Sequence, residues 1–200
     1  LTGRSSEIAL YPFSFVDFCR MKGVDCQLRT TKGIAAQREA FDAYLKQGGF
    51  PELLHIKNGK KYVSNLVDNI LKRDIEQRYK ISYVAQFENM AHHLLNVSPY
   101  ILSAKEVSAL FDFKSLHTVH NYVKFLKEAY VLIGVKKYSA KSRQRAVGEK
   151  LYAIDVAMMN QRENVFVGDN LGWRLETIVL NHLMRKCKYE GWDVYYLADR

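Results

Sequence analysis

Apolar residues recur at helical spacing over much of the chain. Ile34, Phe41, Tyr44 and Leu45 mark one face of a helix predicted over residues 34–47. It is closed by Gly48-Gly49, which can adopt the left-handed conformation that stops a helix, and then by Phe50-Pro51. A longer helix from about Lys61 to Tyr79 buries Val63, Leu66, Val67, Ile70, Leu71 and Ile75. Another from Tyr83 to Asn96 carries Val84, Phe87, Met90, Leu94 and Leu95, so a small helical bundle is expected. Ahead of it, Ile8–Leu10 reads as a short strand turning at Pro12. Ser14 and Asp17 form a capping box for a helix that stops at Gly23.

The pattern then changes. Ser103 and Glu106 form a second capping box, opening a short helix with Val107, Leu110 and Phe111 inward. It breaks at Asp112-Phe113-Lys114, and Ser115 caps a second helix through Leu126 or beyond. On that helix Val119, Val123, Leu126 and Tyr130 face inward, leaving His117, Thr118, His120, Asn121, Lys124 and Lys127 on the outer surface. Residues 130–138 read as a strand, 139–148 as a polar loop and 149–154 as a returning strand. Helix, turn, helix and basic hairpin in that order describe a winged helix. Its second helix suits a major groove and its hairpin cations suit flanking phosphates. The alternative is that the same surface packs against neighbouring domains.

Charge sharpens this picture by its position. The chain carries +9 overall. Residues 114–150 hold nine basic residues (Lys114, Lys124, Lys127, Lys136, Lys137, Lys141, Arg143, Arg145, Lys150) against Glu128 and Glu149, a local +7. Such a stretch is either a phosphate-binding surface or a solvated face. With 200 residues and 48% hydrophobic content the chain can bury a sizeable core. It has no apolar run of the about 18 residues needed to span a bilayer, so a soluble, cytoplasmic protein is expected. Cys19, Cys26 and Cys187 are scattered and read as ordinary thiols.

Most catalytic patterns are missing. There is no GxxxxGK[ST], GxSxG or HExxH. His117 and His120 share a helical face without a clustered third ligand, and read as exposed polar positions before metal ligands. Asp74, beside Arg73, is expected in a structural ion pair. Glu176 opens an amphipathic helix (Ile178, Val179, Leu183) followed by a strand at Val194–Leu197. A carboxylate so placed begins a metal-dependent nuclease arrangement, whose second carboxylate and lysine are not in this sequence.

In order, the motifs are Gly3-Arg4, Leu10-Tyr11-Pro12-Phe13-Ser14-Phe15, Gly48-Gly49-Phe50-Pro51-Glu52, Arg73-Asp74-Ile75, the winged helix, Lys150-Leu151-Tyr152-Ala153-Ile154-Asp155 and Gly172-Trp173-Arg174-Leu175-Glu176. Over nearly the whole chain they resemble the C-terminal part of AAA-type, STAND-like P-loop ATPases of the archaeal-ATPase group, which combine a winged helix with a PD-(D/E)XK nuclease-like domain. The resemblance implies that Leu1 to about Met21 is the tail of an ATPase domain, with Arg4 near its nucleotide, and that Glu176 matches the first acidic position of the nuclease-like core. ATP and Mg are then cofactors of the longer parent and not of this chain.

The expected fold class is α+β, predominantly α, a helical bundle followed by a winged helix-turn-helix and the start of a nuclease-like α/β domain. The expected segments are 1–22 (ATPase tail), 23–97 (bundle), 98–156 (winged helix) and 157–200 (nuclease-like start). The expected role is a regulatory, DNA-binding region of an ATP-binding protein, touching duplex DNA through His117, Thr118, His120, Asn121, Lys124, Lys127, Lys136, Lys137, Lys141, Arg143 and Arg145. The alternatives are a relay module binding its own ATPase domain or another protein, and an incomplete Mg-dependent nuclease. No membrane partner is expected.

Overall fold

In the computed structural model, residues 8–139, 148–160 and 170–197 are described. Helix α1 spans Phe15–Met21, and its capping box is complete: Ser14 accepts from the Asp17 amide while Asp17 accepts from that of Ser14. Helix α2 covers Thr31–Gln47, starting three residues earlier than its apolar spacing predicts because the Thr30 side chain accepts from the Gly33 amide at 3.1 Å. Helix α3 begins at Gly59–Asn69, continues through π-helical turns at Ile70–Glu76 and ends in an α-turn at Gln77–Tyr79. Helix α4 is Val84–Asn96. The expected strand at residues 8–10 does not form; Ile8 and Leu10 are 80% and 91% exposed, and among the described residues no strand pairs with them.

After α4 come β1 (Tyr100–Ile101), α5 (Ala104–Leu110), α6 (Leu116–Glu128), β2 (Leu132–Lys137) and β3 (Glu149–Ala153). A 3₁₀ turn at Val156–Asn160, helix α7 (Leu171–Glu190) and β4 (Tyr195–Tyr196) complete the described elements. The sheet order is β1-β3-β2-β4. β3 is antiparallel to β1 and β2, and β4 runs parallel to β2. The architecture is therefore α+β and predominantly α, with a small sheet.

Local readings need three corrections. At α5, Ser103 accepts from the Glu106 amide at 3.3 Å, but the Glu106 carboxylate accepts from the Tyr100 hydroxyl at 3.1 Å instead of closing a box. Leu110 points outward, 59% exposed, while Val107 alone of that helix is buried. Tyr130 is 62% exposed because the helix ends at Ala129 and Tyr130 takes a left-handed φ of 55°, turning its ring away from the face of Val119, Val123 and Leu126.

One continuous core runs from Leu53 and α3 through α4 and α6 to β3 and the 3₁₀ turn, with Leu71, Ile75, Phe87, Met90, Leu126 and Met159 wholly buried. Burying each such side chain stabilises by about 1.5–3 kcal/mol, which ties the bundle and the helix-turn-helix segment into one body. A smaller cluster of Val135, Tyr152, Leu180 and Tyr196 lies between the sheet and α7.

Motifs distant in sequence meet at a buried polar knot. Asp155, 2% exposed, accepts from the Gly49 and Ala157 amides, each at 2.8 Å. Gly48 has φ +79°, and a Cβ there would lie 1.8 Å from Asp155 Oδ1, so this turn requires glycine. Phe13 pairs its amide with the Gly49 carbonyl at 2.7 Å, and Tyr44 donates to the Phe13 carbonyl at 2.6 Å. From α7, the buried Arg174 donates to Asn170 Oδ1 and to the Leu45 and Val156 carbonyls, while Asn181 donates to the Ile154 carbonyl. Arg185 donates to the Pro12 carbonyl.

Candidate nucleic-acid interface

Helix α6 starts where Ser115 accepts from the His117 amide at 3.2 Å. Its apolar spacing buries Val119, Tyr122, Val123 and Leu126 against the core. His117, His120 and Lys124, spaced i, i+3 and i+7, form one exposed stripe on the opposite side. Thr118 and Asn121 do not join it. With Phe125 they line an open groove of about 230 Å³ whose other wall is the connection from Tyr79 to Tyr83. Tyr79 stacks on Phe125 with ring centroids 3.9 Å apart and planes at 7°, and its hydroxyl donates to Glu128 at 2.7 Å. That bond holds the Glu128 carboxyl below its ordinary range. The connection stands beside this flank because α3 ends next to α6, a proximity that α6's own spacing cannot reveal.

Two of the predicted phosphate contacts are already engaged. Lys127 meets Glu149 on β3 at 2.5 Å, partly shielded from solvent. Lys124 lies 3.6 Å from Glu128 in an exposed pair, which competes weakly with an incoming phosphate. The Glu149 side chain lies over Gly134, where a Cβ would come within 2.0 Å of its carboxylate oxygen. Lys136 is exposed and Lys137 half-buried near the end of β2. Lys141, Arg143 and Arg145 lie outside the described residues, as does Arg4.

Beyond Lys137 the sheet adds a feature that sequence reading misses. β4 pairs with β2 so that Lys136 opposes Tyr195 and Lys137 opposes Tyr196. The Tyr138 amide donates to the Tyr196 carbonyl at 2.8 Å. Tyr138 and Tyr195 then meet edge to face, centroids 6.1 Å apart and planes at 74°, with 56% and 37% of their surfaces exposed. The Lys-x-Tyr alternation of β2 was the available signal, but nothing local announces that Tyr195 arrives beside it.

Glu176 faces β3 instead of an acidic cluster. Its Oε1 accepts from Lys150 Nζ at 2.5 Å and from the Tyr152 hydroxyl at 2.7 Å. Burial, followed by the bond to Glu176, pushes the Tyr152 phenol well above its ordinary value. Among the described residues no three His, Cys, Asp or Glu side chains gather to hold a metal, His117 and His120 included. Arg73 and Asp74 are both exposed on the π-helical turns of α3, and Asp74 makes no ion pair among the described residues. The helix rotates it toward solvent. No described helix is long and apolar enough to cross a membrane.

Fold and surface together define a predominantly helical α+β protein in which α5 and α6, followed by the antiparallel pair β2 and β3, share one core with α3 and α4. The chain belongs to the family described as a domain of unknown function, DUF8612, which it matches over residues 38–167. An uncharacterized protein of Methanocaldococcus jannaschii, MJ1544, is 26% identical over 208 residues, covering 100% of this chain and 46% of its own length. An uncharacterized protein of Haemophilus influenzae is 27% identical over 192 residues, covering 93% of this chain and 46% of its own length. The chain thus spans about half the length of these curated relatives. No solved structure matches it.

Proposed function

We propose that this chain is a DNA-contacting regulatory region of a longer ATP-binding protein, and that its winged-helix segment meets duplex DNA through the outward stripe of α6. The observation carrying this reading is the stripe of His117, His120 and Lys124, open to solvent opposite the buried face of Val119, Tyr122, Val123 and Leu126, within a segment of net charge +7. A narrow polar stripe on a helix otherwise anchored in a core is what groove entry demands, and the cations supply phosphate contacts. Lys136 and Lys137 extend the basic surface along β2, and Lys141, Arg143 and Arg145 follow in sequence. Thr118 and Asn121 flank the stripe, in the groove between α6 and the Tyr79–Tyr83 connection. ATP and Mg belong to the parent, and the cytoplasm is the compartment in which it meets DNA.

Fluorescence anisotropy on a labelled duplex across a KCl series tests this. Affinity should fall linearly with log salt, and each phosphate-contacting lysine replaced by Ala should flatten the slope by about 0.9. Duplex binding that is undetectable at low salt, or unaffected by Lys124→Ala with Lys136→Ala, removes the proposal. A second reading, a relay module for the parent's own ATPase domain or another protein, is favoured by the Tyr79–Phe125 stack. That contact shows α6 already serving protein packing on one flank.

A further inference from the structure

Strand geometry sorts the end of the sheet into two unlike faces. Val135 and Tyr196 are buried with Tyr152 and Leu180 beneath α7. Side chains alternate along a strand, so Lys136 and Tyr138 point the other way, and Tyr195, opposite Lys136, joins them. That outer face is exposed and carries two aromatic rings beside a cation. The acid across the ladder from Lys136 is Glu149, whose carboxylate is held 2.5 Å from Lys127. Lys136, exposed and without an ion pair among the described residues, is open to an outside anion. The edge-to-face arrangement of Tyr138 and Tyr195 is compatible with a third planar group stacking on an open ring face.

We infer that Tyr138 and Tyr195, with Lys136, form a stacking platform for an unpaired DNA base next to the duplex held by α6. This rests on the duplex reading and adds a preference for junctions between single- and double-stranded DNA. A nucleobase fits the platform chemically, since each base offers a π-face to a tyrosine ring and its phosphate meets a lysine, with little dependence on sequence. The occupant is thus a short single-stranded extension, not a second protein, because the Lys136 cation stands on the same face as the rings.

The test uses the full chain with a blunt duplex and with the same duplex bearing a short oligothymidine tail. The tail should tighten binding by about tenfold, the effect of one stacked base. Tyr138→Ala combined with Tyr195→Ala should abolish that gain and leave blunt-duplex affinity unchanged, while the two Phe substitutions should retain it. With unaltered protein, a 2-aminopurine in the tail should lose fluorescence on binding, which keeps the test valid should the double variant not fold. Equal affinity for blunt and tailed DNA, an unquenched 2-aminopurine, or a tail gain that survives the double Ala substitution overturns the platform while leaving the duplex reading intact. Absence of any duplex binding overturns the duplex reading itself.

Discussion

Replacing Asp155 with Asn should change how the stability of this fold depends on pH. The carboxylate is 2% exposed. Burial pushes its pKa up from 3.8 to about 6, against the opposing pull of the Ala157 and Gly49 amides and, third, of Arg185. The folded state therefore holds the proton more tightly than the unfolded chain does. Its stability falls as pH rises from about 4 to about 6 and is level in this respect above that. A displacement of about two units corresponds to about 3 kcal/mol. Asn cannot ionise, and like the protonated acid it offers one good acceptor to the two amides. Asp155→Asn should thus resemble the unaltered protein near pH 4 and gain about 3 kcal/mol on it by pH 7. Urea unfolding at several pH values, followed by Trp173 and Trp192 fluorescence, measures the difference. Carboxyls such as Asp17, whose pKa is lowered by its bond with Ser14, act in the opposite sense but are common to both proteins and cancel. A difference flat with pH, or one that moves against the Asn variant as pH rises, would refute the argument. It would mean that the amide hydrogen bonds outweigh burial.

Other outcomes follow from the same geometry. Gly48→Ala places a Cβ 1.8 Å from Asp155 Oδ1 at φ +79°, and should lower stability by about 2 kcal/mol or more, read from the urea midpoint at constant m; a loss within about 0.5 kcal/mol contradicts it. Glu149→Gln releases Lys127, so duplex affinity at low salt should rise and the log–log salt slope should steepen by about 0.9, as one more phosphate is neutralised; an unchanged slope refutes that role for Lys127. Tyr79→Ala removes the stack on Phe125 and the bond to Glu128. Stability should fall, read as a lower urea midpoint, while DNA binding persists, and loss of DNA binding in a folded variant would place the Tyr79–Tyr83 connection in the interface.

What was legible in the sequence was whatever depends on near neighbours. Ser14 with Asp17 and Ser115 with His117 are contacts three or two residues apart, and their caps appear where side-chain chemistry predicts. The helical faces of α3, α4 and α6 followed from apolar spacing for the same reason. Tyr130 failed because spacing assumes that the helix continues, whereas the chain turns left-handed one residue past Ala129. Glu106 failed because a cap competes with any other donor in reach, and Tyr100 supplies one. The candidate interface was legible as charge but not as geometry. Lys127 looks like any cation on an outer helical face until β3 brings Glu149 to it, 22 residues on. The Tyr138–Tyr195 pair depends on a parallel strand that returns only after α7.

Strand β3 is where the proposed binding surface and the buried knot become one mechanical unit. Leu151 and Ala153 enter the main core, while Lys150 and Tyr152 on the other face bind Glu176 of α7. At its start Glu149 holds Lys127 of α6, and two residues past its end Asp155 holds the Gly49 turn below α2. A displacement of α6 relative to α2 must therefore stretch a charged contact at one end of the strand or expose a buried carboxylate at the other. Each amide hydrogen bond to the Asp155 carboxylate that such a displacement breaks costs about 1.5–3 kcal/mol. Binding at the α6 stripe is consequently expected to move the bundle, the sheet and α7 together as one body, with any conformational response placed outside these elements and not within them.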